Sequence, residues 1–235
     1  MNTTTGREKI FNAPGIVVAV ILVVSLIHSL RAVGGPFVDQ FLVNYLSLYP
    51  YRIGPNANDI SGGVFIGLTS LATHALLHAD WMHLLTNNAW LMVFGSLIAR
   101  RTSTLGFSFL FIICTVFGGL AYISVNGFVK AVVVGMSGAV SGLMGASFRI
   151  IFVAFQQGGL KTLQRYPQAI PRLPLISVMQ HRKTMLATCF WILMNFFLAL
   201  VDPNLLGNSG IAWEAHLGGF LAGFLLFGIV DLGRR

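Results

Sequence analysis

The sequence predicts an all-α integral membrane protein: a bundle of six transmembrane helices with both termini cytoplasmic. Three observations predict it. Only 9% of the 235 residues are charged and 55% are hydrophobic, whereas soluble domains carry about 25% charged residues. Six uncharged stretches reach or approach the ~20 residues that a helix needs to cross hydrocarbon at ~1.5 Å per residue. The basic residues then fall between those stretches with a strong bias to one side.

The elements follow in order. Phe11–Leu30 comes after Arg7 and Lys9, as a secretory signal would. It is long enough to span, lacks a clear small-residue cleavage site, and reads as a retained first span. Residues 31–80 form an outer loop. Within it Ile60–Ala79 is also free of formal charge, but rich in Gly, Ser, Thr and His. It reads as an interfacial or re-entrant segment packed on protein. Trp81–Ala99 is the second span. Leu105–Val125 is the third, inside the charge-free run Thr102–Val129, and Ala131–Phe148 is the fourth. Residues 155–183 form a basic cytoplasmic loop with Pro167, Pro171 and Pro174. It reads as a solvated linker touching anionic lipid, with a short amphipathic piece or a partner site as the alternatives. Thr184–Val201 is the fifth span. Ala215–Val230 is the sixth and starts a few residues earlier, with Glu214 near its outer end.

With the N-terminus inside, the cytoplasmic side holds Arg7, Lys9, Arg100, Arg101, Arg149, Lys161, Arg165, Arg172, Arg182, Lys183, Arg234 and Arg235. The outer side holds only Arg31, Arg52 and Lys130. This bias is the positive-inside pattern, and a seventh span at residues 60–79 would reverse it at the N-terminus. The net charge of +8 is thus a topology signal, and no nucleic-acid partner is expected. Cys114 and Cys189 both lie in apolar stretches, which argues against a disulfide framework. Residues 1–235 read as one membrane domain, with 1–10 a cytoplasmic tail.

The topology brings polar residues together. Spans two, four and six all run from outside to inside. His83 and Asn87 fall in the first turns of span two, Ser137 in the second turn of span four, and His216 near the start of span six. At ~1.5 Å per residue all lie within ~10 Å of the outer boundary. Each has a structural reading. Gly135, Ser137, Gly138, Ser141, Gly142 and Gly145 would make a small-residue packing face. Asn87 would bond a neighbouring helix, and His28 shares the same depth. An intramembrane histidine, however, is a functional candidate by default. At one depth the group favours chemistry: Ser137 as nucleophile and His216 as the base that takes its proton. Glu214 is two residues from His216 and faces elsewhere on a helix, so a dyad is expected rather than a triad. The backbone N–H of Ser137, the Asn87 amide and the His83 ring are candidate oxyanion donors. A rival metal site would draw on His74, His78 and His83 near Asp80. The His-Glu-x-x-His signature is absent, and no metal or other cofactor is expected.

These residues also carry a resemblance. Thr73-His74-Ala75-Leu76-Leu77-His78, Trp81-Met82-His83 and Asn87 resemble the second-span motif of the rhomboid intramembrane serine proteases. Gly135-Met136-Ser137-Gly138 is similar to that family's GxSG, followed by Leu143-Met144-Gly145. Ala215-His216-x-x-Gly219-x-x-x-Gly223 resembles its sixth-span motif. The likeness covers roughly residues 10–230. It implies a six-span rhomboid-like fold whose cavity opens outward, with Ser137 the nucleophile, His216 the base, and His83 and Asn87 at the oxyanion. It also implies that Gly219 and Gly223 pack span six on span four, with Gly135 and Gly138 flanking the nucleophile. His28 matches no motif of the family. Two positions depart from the pattern. Thr69-Ser70 stands where a Trp-Arg pair is frequent. Ser141 stands where a tyrosine often stacks on the base. The implied partners are single-span membrane proteins within a lipid bilayer, and the implied place is a bacterial-type inner membrane. A rhomboid-like protein that captures membrane proteins without cutting them is the alternative.

Overall fold

The computed structural model describes residues 13–55, 57–200 and 211–233. The expected tail at residues 1–10, together with Phe11, Val201, Arg234 and Arg235, lies outside them. In chain order the helices are α1 (Gly15–Val33), α2 (Gly35–Leu46), α3 (Gly63–Thr73), α4 (Trp81–Trp90), a π turn (Leu91–Gly95), α5 (Ser96–Ala99), α6 (Thr104–Asn126), α7 (Ser137–Gln156), α8 (Gly159–Arg165), α9 (Leu175–Val178), α10 (Arg182–Leu200) and α11 (Trp213–Val230). Four of them, α1, α6, α7 and α11, are long and apolar enough to cross a membrane. The stretch expected as span two is helical throughout residues 81–99 but divided by the π turn. The stretch expected as span five, α10, has 19 residues and opens on Arg182 and Lys183.

Helix α7 is the axis of the bundle. Some 72% of its apolar window is buried, against 17% for α1. Small residues permit this centrality. A Cβ on Gly219 of α11 would fall on the Gly138 carbonyl, and one on Gly223 would fall on the Gly142 carbonyl. Helix α6 joins at the same level, where a Cβ on Gly118 would lie 2.8 Å from the Ala215 carbonyl and 3.5 Å from Gly138 Cα. Close approach of backbones is the usual means of association where lipid removes the hydrophobic drive between helices. The outward faces are apolar instead: Leu22, Leu26, Phe109, Ile112, Leu225 and Ile229 are all exposed.

Three sequence expectations need correction. Span four was placed from Ala131, but α7 begins at Ser137 itself. Residues before it are extended, and Val133 exchanges both backbone hydrogen bonds with Leu48 at 2.8 and 3.0 Å. Val132-Val133-Val134 is a β-branched run that favours extended backbone. Gly135, at φ +119°, then turns the chain into the helix. Ser137 is therefore the first residue of its helix rather than a member of its second turn, and the ~10 Å depth built on helical rise does not apply to it.

The far end of span four was placed at Phe148, before a charge. Helix α7 runs on to Gln156 because Arg149 is satisfied by protein. Its Nε donates to the Leu173 carbonyl at 3.0 Å and its Nη1 to the Phe224 carbonyl at 2.8 Å.

The segment expected as an outer loop is partly helical. It holds α2 and α3, and α3 packs against α2 and α6. Ser70 bonds back to the Gly67 carbonyl at 2.6 Å, and Thr73 reaches the Leu46 carbonyl at 2.9 Å. The 155–183 segment, finally, is in part docked rather than solvated. Leu163 and Ile170 are buried. Arg101, fully buried, clasps Asp231 with two nitrogens at 2.8 and 2.9 Å and donates to the Pro167 carbonyl at 2.6 Å. Arg172 approaches the same carboxylate at 3.5 Å. A bidentate, buried pair is retained when every partner is present, and here it ties the 155–183 segment to the end of α11.

Candidate active site

Ser137 lies between two glycines, and each glycine carries a neighbouring helix to it. On one side a Cβ at Gly135 would sit 2.7 Å from His83 Cε1 and 2.8 Å from His83 Nε2. The imidazole thus rests directly on the Gly135 backbone. On the other side a Cβ at Gly138 would lie 3.2 Å from the Ala215 carbonyl, one residue before His216. The three sequence-predicted elements converge on this turn into α7. His83 comes from α4, Ser137 from the start of α7, and His216 from the first turn of α11.

The turn is held from below. The Gly135 N–H donates to the His74 carbonyl at 3.0 Å, and the His74 ring is bonded to the Ser70 carbonyl at 2.8 Å. Burial pushes the His74 pKa down to about 4, and burial together with the His83 imidazole pushes that of His78 to about 3. Both are neutral at pH 7; the His74 ring anchors the turn, whereas neither buried ring nitrogen of His78 has a hydrogen-bond partner among the described residues. His78 packs edge-on against His83, ring centres 5.2 Å apart. Arg31 bonds both Asp39, at 2.7 Å, and the His78 carbonyl, at 2.6 Å, so α1 and α2 fix the approach to α4.

The start of α4 is capped. The Asp80 carboxylate accepts the His83 N–H at 2.8 Å. The Ala79 N–H points at His83 Nδ1 at 3.5 Å, a long contact that leaves Nδ1 as acceptor and Nε2 as the protonated nitrogen. A donor therefore faces Gly135. Asn87, four residues on and on the same face, is buried, and one of its amide hydrogens goes to the His83 carbonyl at 2.9 Å. Its second amide hydrogen remains for a ligand.

No side chain caps α7, and the first intrahelical bond runs from the Val140 N–H to the Met136 carbonyl at 2.9 Å. The N–H groups of its first turn are open, at the positive end of the helix. Among the described residues no hydrogen bond joins the Ser137 hydroxyl to His216; in unliganded enzymes such bonds are often long and tighten on substrate.

Other expected residues lie elsewhere. Glu214 accepts from the Asn126 amide at 2.8 Å, away from His216. His28 packs edge-on against Trp81, ring centres 4.5 Å apart. Ser141 is buried on α7. Among the described residues no three His, Cys, Asp or Glu side chains converge as metal ligands would.

One neighbour escaped the sequence reading. Asn195 of α10 is buried, and its Oδ1 lies 3.3 Å from His216 Nδ1. The only signal was a lone amide within an apolar run.

The fold and this turn define a multi-pass helical membrane protein with a serine at an uncapped helix start, approached by two histidines. The Rhomboid domain profile matches residues 67–232, and the chain belongs to the Rhomboid family. No curated protein matches it.

Proposed function

We propose that the protein is an intramembrane serine endopeptidase that cleaves single-span membrane proteins near the outer membrane boundary. The observation that carries this reading is the placement of Ser137 between Gly135, under the His83 ring, and Gly138, against the turn of α11 that bears His216.

The chemistry follows from those positions. His216 accepts the Ser137 proton as the hydroxyl oxygen attacks the scissile carbonyl. The carbonyl π pair moves to oxygen, and the oxyanion takes hydrogen bonds from the Ser137 N–H, the Asn87 amide and His83 Nε2–H. Collapse expels the amine, which leaves with the proton from His216. Water, deprotonated by His216, then releases the acyl group and restores Ser137. No carboxylate is needed beyond the dyad, and no cofactor enters.

The reading places six spans in a bacterial-type inner membrane with both termini cytoplasmic. Reporters fused after residue 101 or within 155–183 then read cytoplasmic, and those within 31–60 read external. An external 155–183 segment would put Ser137 at the wrong leaflet.

A substrate helix must be opened before it is cut, because its carbonyls are held in internal hydrogen bonds. Weak helix formers near the cut lower that cost, by ~1 kcal/mol for Gly and ~3 kcal/mol for Pro relative to Ala. The test is cleavage of a single-span substrate in liposomes, with mass spectrometry locating the cut. A cut at mid-membrane, at rates indifferent to boundary glycines, would defeat the reading.

His83→Ala and Asn87→Ala each lower turnover by roughly 10²–10³, the usual effect of losing one well-placed oxyanion donor. Single-turnover rates check this. Wild-type turnover in both variants would mean that other groups hold the oxyanion.

A further inference from the structure

Asn195 is the one buried amide on α10 that touches the His216 ring. We infer that Asn195 is a positioning residue that fixes the tautomer and rotation of His216, leaving Nε2 bare toward Ser137. The inference rests on the protease reading for its purpose, but not for its geometry.

The argument begins with the amide itself. Asn195 Nδ2 donates to the Trp191 carbonyl at 2.9 Å, one turn back on its own helix. A carbonyl only accepts, so the nitrogen must be on that side and Oδ1 must face His216. Oδ1 in turn only accepts. The hydrogen of this pair therefore sits on His216 Nδ1, and the lone pair of the neutral ring sits on Nε2. That is the tautomer a base needs to take a proton at Nε2. It is also the opposite of the form that a histidine side chain favours in water. His83 shows the complementary arrangement, with Nδ1 accepting and the proton left on Nε2.

The contact is braced on both sides. Trp191 stacks on Phe220 with ring centres 4.2 Å apart and planes 15° from parallel. Phe196 packs on Trp213 at 5.1 Å. Residues 191 and 196 flank Asn195 on α10, and 213 and 220 flank His216 on α11. These two aromatic pairs hold the helices at the separation at which the amide reaches the ring. Ser141 has too short a side chain to stack on an imidazole, so the α10 contact supplies the orientation that α7 does not.

The test uses the full chain in liposomes, with Asn195→Leu as the near-isosteric apolar variant and Asn195→Asp as the variant that keeps an acceptor. Solid-state NMR of ¹⁵N-histidine protein reads the tautomer, with His216→Ala identifying the signal. The expected result is Nδ1–H in the wild type, loss of that form in Asn195→Leu, and its retention in Asn195→Asp. In turnover, Asn195→Leu lowers kcat by about 10- to 100-fold with KM within about twofold, the range seen when an outer partner of a functional histidine is removed. Asn195→Asp recovers most of it. The inference is overturned by Nε2–H in the wild type. It is equally overturned if Asn195→Leu leaves tautomer and kcat unchanged, or if both variants lose kcat together with thermal stability. A wild type inert to substrate and to a fluorophosphonate probe would instead end the protease reading, and the NMR result would still decide the tautomer.

Discussion

Ser137→Ala cleaves no single-span substrate above background, and His216→Ala is equally silent, while both variants remain folded and membrane-inserted. The loss is on the order of 10⁶ in kcat where nucleophile and base act as a unit. The double variant is no worse than either single one, because each alone removes the covalent route. The reason lies in the turn. Ser137 opens α7, and a neutral hydroxyl is a weak nucleophile, so it depends on His216 for activation. A fluorophosphonate probe separates chemistry from binding: it labels the wild type at Ser137 and leaves Ser137→Ala unlabelled. Substantial cleavage by either variant would end the assignment of the dyad and favour a rhomboid-like protein that binds without cutting.

Much of this molecule is legible in the sequence because the bilayer restricts the choices. A spanning segment must satisfy its backbone internally, so hydropathy alone locates α1, α6 and α11 to within a few residues. Where the reading failed, proximity in space had overruled a local signal. A charge at Arg149 ends a span only if water or headgroups receive it; here two backbone carbonyls do, and α7 continues. A charge-free window starting at Ala131 measures hydrophobicity and not helicity. Val132-Val133-Val134 and the following Gly135 were the local evidence for an extended lead-in, and its bridge partner Leu48 lies far away in sequence. Helices α2 and α3, of 12 and 11 residues, are too short for a transmembrane criterion to mark them. The candidate site was legible because its residue types are few and its elements share an orientation. Asn195 was not, because an amide in an apolar helix acquires meaning only from what stands opposite.

Gly219→Ala lowers kcat/KM by about 10² or more without altering any group that does chemistry. A Cβ at this position would fall on the Gly138 carbonyl, the residue next to Ser137. That atom is helix backbone and cannot rotate aside as a flexible side chain would. Helix α11 must therefore move. Gly223 faces the Gly142 carbonyl one turn further along, so the two helices are in backbone contact over two turns and have no room to pivot closer elsewhere. His216 is three residues before Gly219, on the same face of α11. Any shift that relieves the clash carries the base away from Ser137, and a displacement of ~1 Å can lower a rate by about 10². The same overpacking destabilises by about 1–3 kcal/mol, seen as a lower midpoint of thermal unfolding in detergent. Gly15→Ala is the control, since a Cβ there meets nothing within 4 Å, and it leaves both quantities unchanged. Fluorophosphonate labelling of Ser137 falls in parallel with turnover in Gly219→Ala, because the probe needs the same base and no substrate helix. If Gly219→Ala keeps wild-type kcat/KM and unfolding midpoint, the glycine contact does not set the distance between the two halves of the site.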